Sequence, residues 1–411
     1  MDRRSFLMGC SSAIAALSGG RLLSLAFAES GTQDEVMVVV FLRGGWDVLS
    51  VMPPIDGPDR GHYEQARPRL RIPTSGNGAA LKLDAQFGLH PSLEKLFERY
   101  KAGNMAIVTA TGMVGSDTRS HFDAMEYMEL GTPGARTTPQ GWVTRLLENT
   151  PKVNSVLSNA VAMGSSPPTS LQGYPDAVAM QNLNDFKLTD DENHRKFLHG
   201  SLARLWSGET WLHQSGQATL KAIEAVAKAG FKAEEGGLKY PDGEFAASLS
   251  SLARMIKRGL GLRVATVDLG GWDTHQYQGN ENSQGYLADL LKQLSEGLAT
   301  FYADLERTGL DKKITVVVQS EFGRRLDENA SYGTDHGHGS AMFVLGGNVA
   351  GGKVYGKWPG LATDQLFERA DLEVTTDYRT VFSEVIDKRF GVGLEKVFPD
   401  FKPGSRLGLL R

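Results

Sequence analysis

The constraint that most limits what this chain can fold into is a set of apolar runs with no polar alternation. Ile314 to Val318 is unbroken and β-branched, Met37 to Leu42 and Ala341 to Leu345 are likewise apolar throughout, and Met105 to Thr109 and Leu262 to Leu269 are strand-like. A strand with one solvated face alternates apolar and polar residues, so runs of this kind predict strands covered on both sides, as in a parallel sheet with helices above and below. The intervening segments supply those helices. Pro91 to Tyr100 is amphipathic, a helix opening near Thr118 runs to about Leu130 and stops at Gly131, and Tyr286 to Thr308 carries the chain between two strands. Thr375 to Arg379 opens a last helix that ends near Lys388. Strands alternating with helices predict an α/β fold with a doubly wound, mostly parallel sheet. Residues from about 189 to 260 read as a helical insertion, whose His194, His199 and His213 are expected on helix surfaces, and Pro151 to Gly173 reads as irregular.

The first residues read as a processing signal. Arg3 and Arg4 precede Ser5-Phe6-Leu7, an alanine- and serine-rich segment follows, and Ala26-Phe27-Ala28 has the form of a cleavage site. Residues 1–28 are therefore expected to be a twin-arginine signal peptide and 29–411 one mature domain, handled by the twin-arginine translocase and delivered to the periplasm or beyond. The apolar part of the signal is shorter than the roughly 20 residues a membrane span needs, so no stable span is expected after cleavage. The single cysteine, Cys10, lies inside that segment. A mature chain without cysteine has no disulfide, no thiolate metal site and no cysteine nucleophile. The formal net charge of −4 becomes −6 once Asp2, Arg3, Arg4 and Arg21 are removed, which argues against nucleic acid as a partner.

Acids and histidines collect where the apolar runs end. Met37 to Leu42 leads to Gly44-Gly45-Trp46-Asp47, and Leu262 to Leu269 leads to Gly270-Gly271-Trp272-Asp273-Thr274-His275, the same four-residue turn repeated. Glu321 follows the Ile314 run, and Asp335, His336 and His338 are packed among Gly333, Gly337 and Gly339. Ligands bind open α/β sheets at the carboxyl ends of the strands. Several acids placed together repel one another unless a cation neutralises them. Asp47, Asp273, His275, Glu321, Asp335, His336 and His338 are thus candidate ligands of a divalent metal. Mixed carboxylate and imidazole sets suit Zn, Mn or Fe, and carboxylate-rich subsets suit Mg or Ca. At the helix start, Thr118, Arg119, Ser120 and His121 form a candidate catalytic group, since free N–H groups and the helix dipole favour an anion there. An ordinary N-cap is the alternative for Thr118 or Ser120. No G-x-G-x-x-G follows the first strand, so nucleotide-dependent redox chemistry has no support.

Taken in order, the two Gly-Gly-Trp-Asp turns, Ser-His-Phe-Asp at 120–123, Ser-Glu-Phe-Gly-Arg-Arg at 320–325, Gly-Thr-Asp-His-Gly-His-Gly at 333–339 and Thr-Thr-Asp-Tyr-Arg at 375–379 resemble one large family. It consists of twin-arginine-exported bacterial proteins of unknown function, grouped with the alkaline phosphatase and sulfatase superfamily. The resemblance implies an alkaline-phosphatase-like fold and metal-dependent hydrolysis of phosphate, phosphonate or sulfate esters, small or polymer-linked. In that scheme Asp47 resembles the aspartate after the first strand, Asp273 and His275 the pair of a second metal, and Glu321 the acid after the later strand. His336 or His338 resembles the last metal histidine, and the nucleophile falls near Thr118 to Ser120. The chain departs from the scheme where Phe322 follows Glu321, since a histidine is usual there. A non-catalytic exported binding or assembly protein that keeps the fold and one metal is the competing reading.

Overall fold

The computed structural model describes residues 35–411 apart from 152, 154–156, 281 and several positions between 211 and 236. The segment read as a signal peptide, 1–28, lies outside the described residues. In chain order the strands are β1 (Val36–Leu42), β2 (Leu81–Lys82), β3 (Gly88–Leu89), β4 (Met105–Gly112), β5 (Ala160–Met163), β6 (Val178–Met180) and β7 (Val264–Leu269). They continue with β8 (Ile314–Gln319), β9 (Arg324–Glu328), β10 (Thr334–His336), β11 (Ser340–Leu345), β12 (Val354–Tyr355) and β13 (Thr376–Asp377). The main sheet has the order β12-β4-β11-β8-β1-β7-β5-β6, with β13 added along β4.

β1 lies at the centre, parallel to β7 on one side and β8 on the other. Its side chains alternate between two cores, and both are apolar. Val36, Val38, Val40 and Leu42 face the helices Glu244–Lys257 and Tyr286–Glu306 through Leu249, Leu252, Leu291, Leu294 and Leu298. Met37, Val39 and Phe41 face Trp142, Val143, Leu146, Phe382 and Ile386 on helices Trp142–Asn149 and Tyr378–Phe390. This two-sided burial is the physical cause of the unalternated runs. Among the described residues, no helix is long and apolar enough to cross a membrane.

Four expectations are corrected. The stretch read as irregular holds β5, which pairs in parallel with β6 and β7. The region of 189–260 does contain helices, Glu192–Leu205 and Glu244–Lys257, yet the second is the crossover that leads into β7. The helix expected from Thr118 begins at His121. Between β8 and the next apolar strand the chain makes a polar antiparallel hairpin, β9 with β10. That next strand, β11, runs antiparallel to β4 and β8, so β4 points the same way as β8. The carboxyl ends of β1, β4, β7 and β8 therefore share one edge of the sheet.

At that edge the two Gly-Gly-Trp-Asp turns touch. Trp46 and Trp272 meet edge to face at 5.9 Å, both fully buried. Gly44, at φ +127°, lies so close that a Cβ would stand 2.5 Å from the Asp273 nitrogen and 2.8 Å from the Trp272 carbonyl carbon. Glycine is required there by conformation and by space alike. Gly44→Ala is expected to cost about 2–5 kcal/mol from strain and overpacking together, seen as a lower urea midpoint with an unchanged m-value. An unchanged midpoint would show that the turns do not depend on this approach.

Candidate metal centre

Three segments deliver the centre. His121 is the first residue of the helix that follows β4, with Ser120 as its N-cap. Asp273 and His275 follow β7, and His336 ends β10. Glycines bracket the last histidine because the backbones are in contact there. A Cβ on Gly333 would stand 2.2 Å from the His275 carbonyl carbon, and one on Gly337 would stand 2.4 Å from that of Arg324.

Three imidazoles and one carboxylate converge through single atoms. His336 Nε2 lies 2.9 Å from His121 Nε2 and 2.8 Å from His275 Nε2. Asp273 Oδ1 lies 3.1 Å from His336 Nε2, 3.3 Å from His121 Nε2 and 3.0 Å from His275 Nε2. Donor atoms of His121, Asp273 and His336 fall within 4.8 Å of one another. Ligands bonded to one zinc ion at about 2.0–2.1 Å stand roughly 3.3 Å apart in a tetrahedron, so the spacing fits atoms gathered around a single small cation.

The other nitrogen of each ring explains why Nε2 faces inward. His121 Nδ1 is 2.7 Å from Glu321 Oε1, His275 Nδ1 is 3.0 Å from Asp335 Oδ1, and His336 Nδ1 is 2.8 Å from the Arg119 carbonyl oxygen. A carbonyl or an ionised carboxylate accepts hydrogen bonds and donates none, so each Nδ1 carries the proton. In the neutral rings all three Nε2 lone pairs then point at one another and at a carboxylate oxygen, with no proton between them. A divalent ion, or a shared proton, would relieve that repulsion, and outer partners of this kind are what fix the rings in metal sites. His121, His275, His336 and Asp273 fit a divalent ion.

Glu321 belongs to the outer layer. It is 1% exposed and accepts from Gly44 N at 2.8 Å and Ser320 Oγ at 2.9 Å as well as facing His121. Asp335 likewise faces the metal-distal nitrogen of His275 and accepts from Asn329 Nδ2 at 3.1 Å. Phe322 lies with its ring 4.8 Å from that of His121 and 5.1 Å from that of His336, an apolar floor under both.

Five candidate side chains do not join the cluster. Asp47 is fully buried and held by Arg67 at 2.5 Å and Gln278 Nε2 at 2.6 Å. Gln278 accepts from Thr274 and Thr334 at 2.7 and 2.8 Å, so Asp47 supports the two ligand loops from beneath. His338 stacks on Phe367 at 4.1 Å. The Arg119 guanidinium is engaged by Asp371 at 2.6 Å and Glu368 at 2.7 Å, and only its carbonyl serves the centre. Thr118 Oγ1 accepts from Ser120 N at 3.2 Å, and Ser120 Oγ accepts from Asp123 N at 3.4 Å. Both hydroxyls thus act as turn and cap acceptors on either side of the residue that holds His336.

Charge placement follows this geometry. Burial lowers the affinity of His121 for a proton, but the bond and charge of Glu321 and then Asp273 outweigh it, and its pKa lies above the ordinary histidine value. His336 is lowered, by burial first, and so is His338. Burial would raise Asp273, yet Arg324 and His336 hold it far below the carboxylate range. Asp335 is lowered as well: Asn329 and His275 outweigh its burial. For Asp47 burial is again opposed, and overcome, by Arg67.

Comparison with known proteins adds the following. Residues 34–398 match the family model described as "Protein of unknown function (DUF1501)", and no curated protein matches the sequence. The fold is similar to PsFucS1 sulfatase from Pseudoalteromonas sp., with 11% identity, TM-score 0.39, and 100% of this chain and 78% of that one covered. A protein in the alkaline phosphatase superfamily from Vibrio parahaemolyticus is similar at 11% identity and TM-score 0.30, over 84% of this chain and 69% of that one. Alkaline phosphatase from the Antarctic bacterium TAB5 is similar at 11% identity and TM-score 0.28, over 76% and 92%.

Two outcomes are expected. Glu321→Gln leaves the shape intact but weakens the hold on His121 Nδ1–H, so zinc affinity falls about 10–100-fold in competition with a chromophoric chelator; equal affinity would remove Glu321 from the outer layer. Asp47→Asn strands Arg67 and costs about 3–5 kcal/mol at neutral pH. Because the folded pKa of Asp47 is depressed, its contribution is present above the unfolded value near 3.9 and disappears as pH falls through the folded value. The wild-type advantage in urea should therefore shrink in acid, and a gap that widened in acid would contradict the pairing.

Proposed function

We propose, for a chain that belongs to the DUF1501 family of proteins of unknown function, that it is an exported metal-dependent hydrolase of phosphate, phosphonate or sulfate esters. The observation that carries this reading is the convergence of three bare Nε2 atoms on Asp273 Oδ1, each ring fixed by an acceptor at Nδ1. The donor set is nitrogen-rich, which favours Zn²⁺, Mn²⁺ or Fe over Mg²⁺ and Ca²⁺. A divalent ion bound there supplies Lewis acidity toward an anionic ester and makes a water molecule more acidic.

The chain's own groups do the rest. Glu321 and Asp335 hold protons at Nδ1 and keep His121 and His275 aimed inward. Arg324 neutralises part of the Asp273 charge while bonding it at 2.7 Å. Phe322 keeps water from the inner faces of two rings. Ser120 and Thr118 flank Arg119, whose carbonyl holds His336, and are the candidate nucleophiles. Export to the periplasm or the exterior through the twin-arginine route belongs to the same proposal and rests on Arg3, Arg4 and the Ala26-Phe27-Ala28 site.

One observation favours the competing reading of a non-catalytic binding or assembly protein with a structural metal: the Arg119 guanidinium is paired with Asp371 and Glu368, so it is not directed at an oxyanion. Metal analysis of purified mature protein and turnover of aryl phosphate and sulfate esters separate the two. About one equivalent of transition metal is expected, lost in His336→Ala together with turnover, while Ser120→Ala and Thr118→Ala keep the metal and at least one of them loses activity. Less than half an equivalent in wild type would sink the metal reading. Full metal with no turnover, and stability unchanged in the serine and threonine variants, would favour the binder.

A further inference from the structure

We infer that Glu368, at the tip of a strained turn, is an autoinhibitory latch: its carboxylate occupies the Arg119 guanidinium in place of an anionic ester, which must displace it to bind. The inference rests on the metal-ester reading above.

Arg119 is fixed at the centre by its backbone, because its carbonyl accepts from His336 Nδ1–H at 2.8 Å and the ligand His121 lies two residues on. Its guanidinium is filled unevenly. Asp371 Oδ2 takes the Nε–H at 3.2 Å and one Nη2–H at 2.6 Å, and Glu368 Oε2 takes the other Nη2–H at 2.7 Å. Among the described residues nothing accepts from Nη1. The two carboxylates differ in exposure: the Asp371 side chain is fully buried, whereas that of Glu368 is 54% exposed. Breaking a buried pair strands a charge and is costly. An exposed pair contributes little net. Asp371 therefore positions the guanidinium, and Glu368 is the removable occupant.

The turn that carries Glu368 is built against its own sequence. Ala370 N–H donates to Phe367 O at 3.1 Å, which makes Glu368 and Arg369 the two central residues, and both have positive φ, +47° and +60°. Positive φ at both central positions marks a type I′ turn, which favours Asn-Gly and similar pairs. Glu-Arg is strained there, and strain of this kind gathers at ligand clamps and switch regions. The base of the turn is anchored on the hairpin that ends in His336. Leu326 N–H donates to Ala370 O at 3.0 Å, Gly339 N–H donates to Leu372 O at 2.8 Å, and Phe367 stacks on His338 with ring centres 4.1 Å apart. The exposed tip is tied to Arg119 by the Glu368 side chain.

A guanidinium binds carboxylate, phosphate and sulfate oxygens alike, and best as a fork. An ester oxyanion that displaces Glu368 gains Nη1 together with Nη2, where the carboxylate has Nη2 alone. Until then the latch lowers the apparent affinity by the fraction of molecules in which Arg119 is released.

The test uses mature protein loaded with one equivalent of Zn²⁺ and calorimetric titration with inorganic phosphate and, separately, sulfate, at about 0.15 M salt to screen distant charges. Glu368→Gln is expected to bind at least one of the two anions roughly tenfold tighter than wild type, since the competing occupant is weakened. Adding Arg119→Ala should abolish that gain. Asp364→Asn removes a charge from an exposed position of the same loop without touching Arg119, and should change nothing. Arg369→Gly relieves the left-handed strain and favours the latched turn, so Tm should rise while anion binding weakens several-fold. An unchanged affinity in Glu368→Gln, an equal gain in Asp364→Asn, a gain that survives Arg119→Ala, or a raised Tm at unchanged affinity in Arg369→Gly overturns the latch and leaves the metal centre standing. If zinc is bound and neither anion binds any of these proteins, the ester site fails and the latch with it; if zinc is not bound, the metal reading itself has failed.

Discussion

Arg324 is the residue on which the edge of the sheet depends. It is fully buried, and its guanidinium donates to the carbonyls of Gly44, Gly45, Trp272 and Thr334 and to Asp273 Oδ1. Those acceptors come from the loop after β1, the loop after β7 and the β9–β10 hairpin. Burying a guanidinium costs several kcal/mol, which only a full set of acceptors offsets. The turns cannot rearrange one at a time, because each would leave part of a buried cation unpartnered. Lysine could not replace it, since three donors on one ammonium do not span five acceptors on separate loops. The same bond that orders the turns also places Asp273, so the fold's edge and the metal centre are held by one side chain.

A second layer extends this outward and follows one rule, that each ligand is fixed by something that is not itself a ligand. Glu321, Asp335 and the Arg119 carbonyl set the tautomers, while Asp47, through Arg67 and Gln278, braces Thr274 and Thr334, the neighbours of Asp273 and Asp335. The seven residues that the sequence groups at strand ends are thus divided between two shells. Asp273, His275 and His336 point inward, Glu321 and Asp335 stand one atom behind, Asp47 lies beneath, and His338 stacks on Phe367 to one side.

Strands buried on both faces were legible because their runs lack alternation, and β1, β7 and β8 lie where those runs predict. β5 and β6 escaped notice because Ala160–Met163 and Val178–Met180 are too short and alanine-rich to signal anything. The polar β9 alternates like an exposed hairpin, and no run reveals that β11 is antiparallel, since burial says nothing about direction. The Gly-Gly-Trp-Asp echo was readable as a pattern, and the physical reason for it, two turns packed through Trp46, Trp272 and Gly44, exists only in three dimensions. In sequence His121 groups with the catalytic helix start and not with the metal ligands, because its neighbours, Thr118 to Ser120, look like an anion cradle. What could have moved it is the count of histidines. A nitrogen-rich site needs a third imidazole, and apart from His338 no other histidine stands beside a motif at the carboxyl edge.

Charge accounting gives the strongest reason to expect a dication. Three carboxylates touch the four-residue centre, those of Asp273, Glu321 and Asp335, and one guanidinium, that of Arg324, faces them. With neutral histidines the cluster carries two uncompensated negative charges, one of them on Glu321, which is buried. Protons could supply the balance only by charging two of the three imidazoles. Those two protons would sit on the outer Nε2 atoms, 2.9 and 2.8 Å from His336 Nε2, and would leave only that nitrogen and Asp273 Oδ1 to accept them. A single divalent ion balances the same charge, uses every inward lone pair and leaves every Nδ1 proton where its acceptor already holds it.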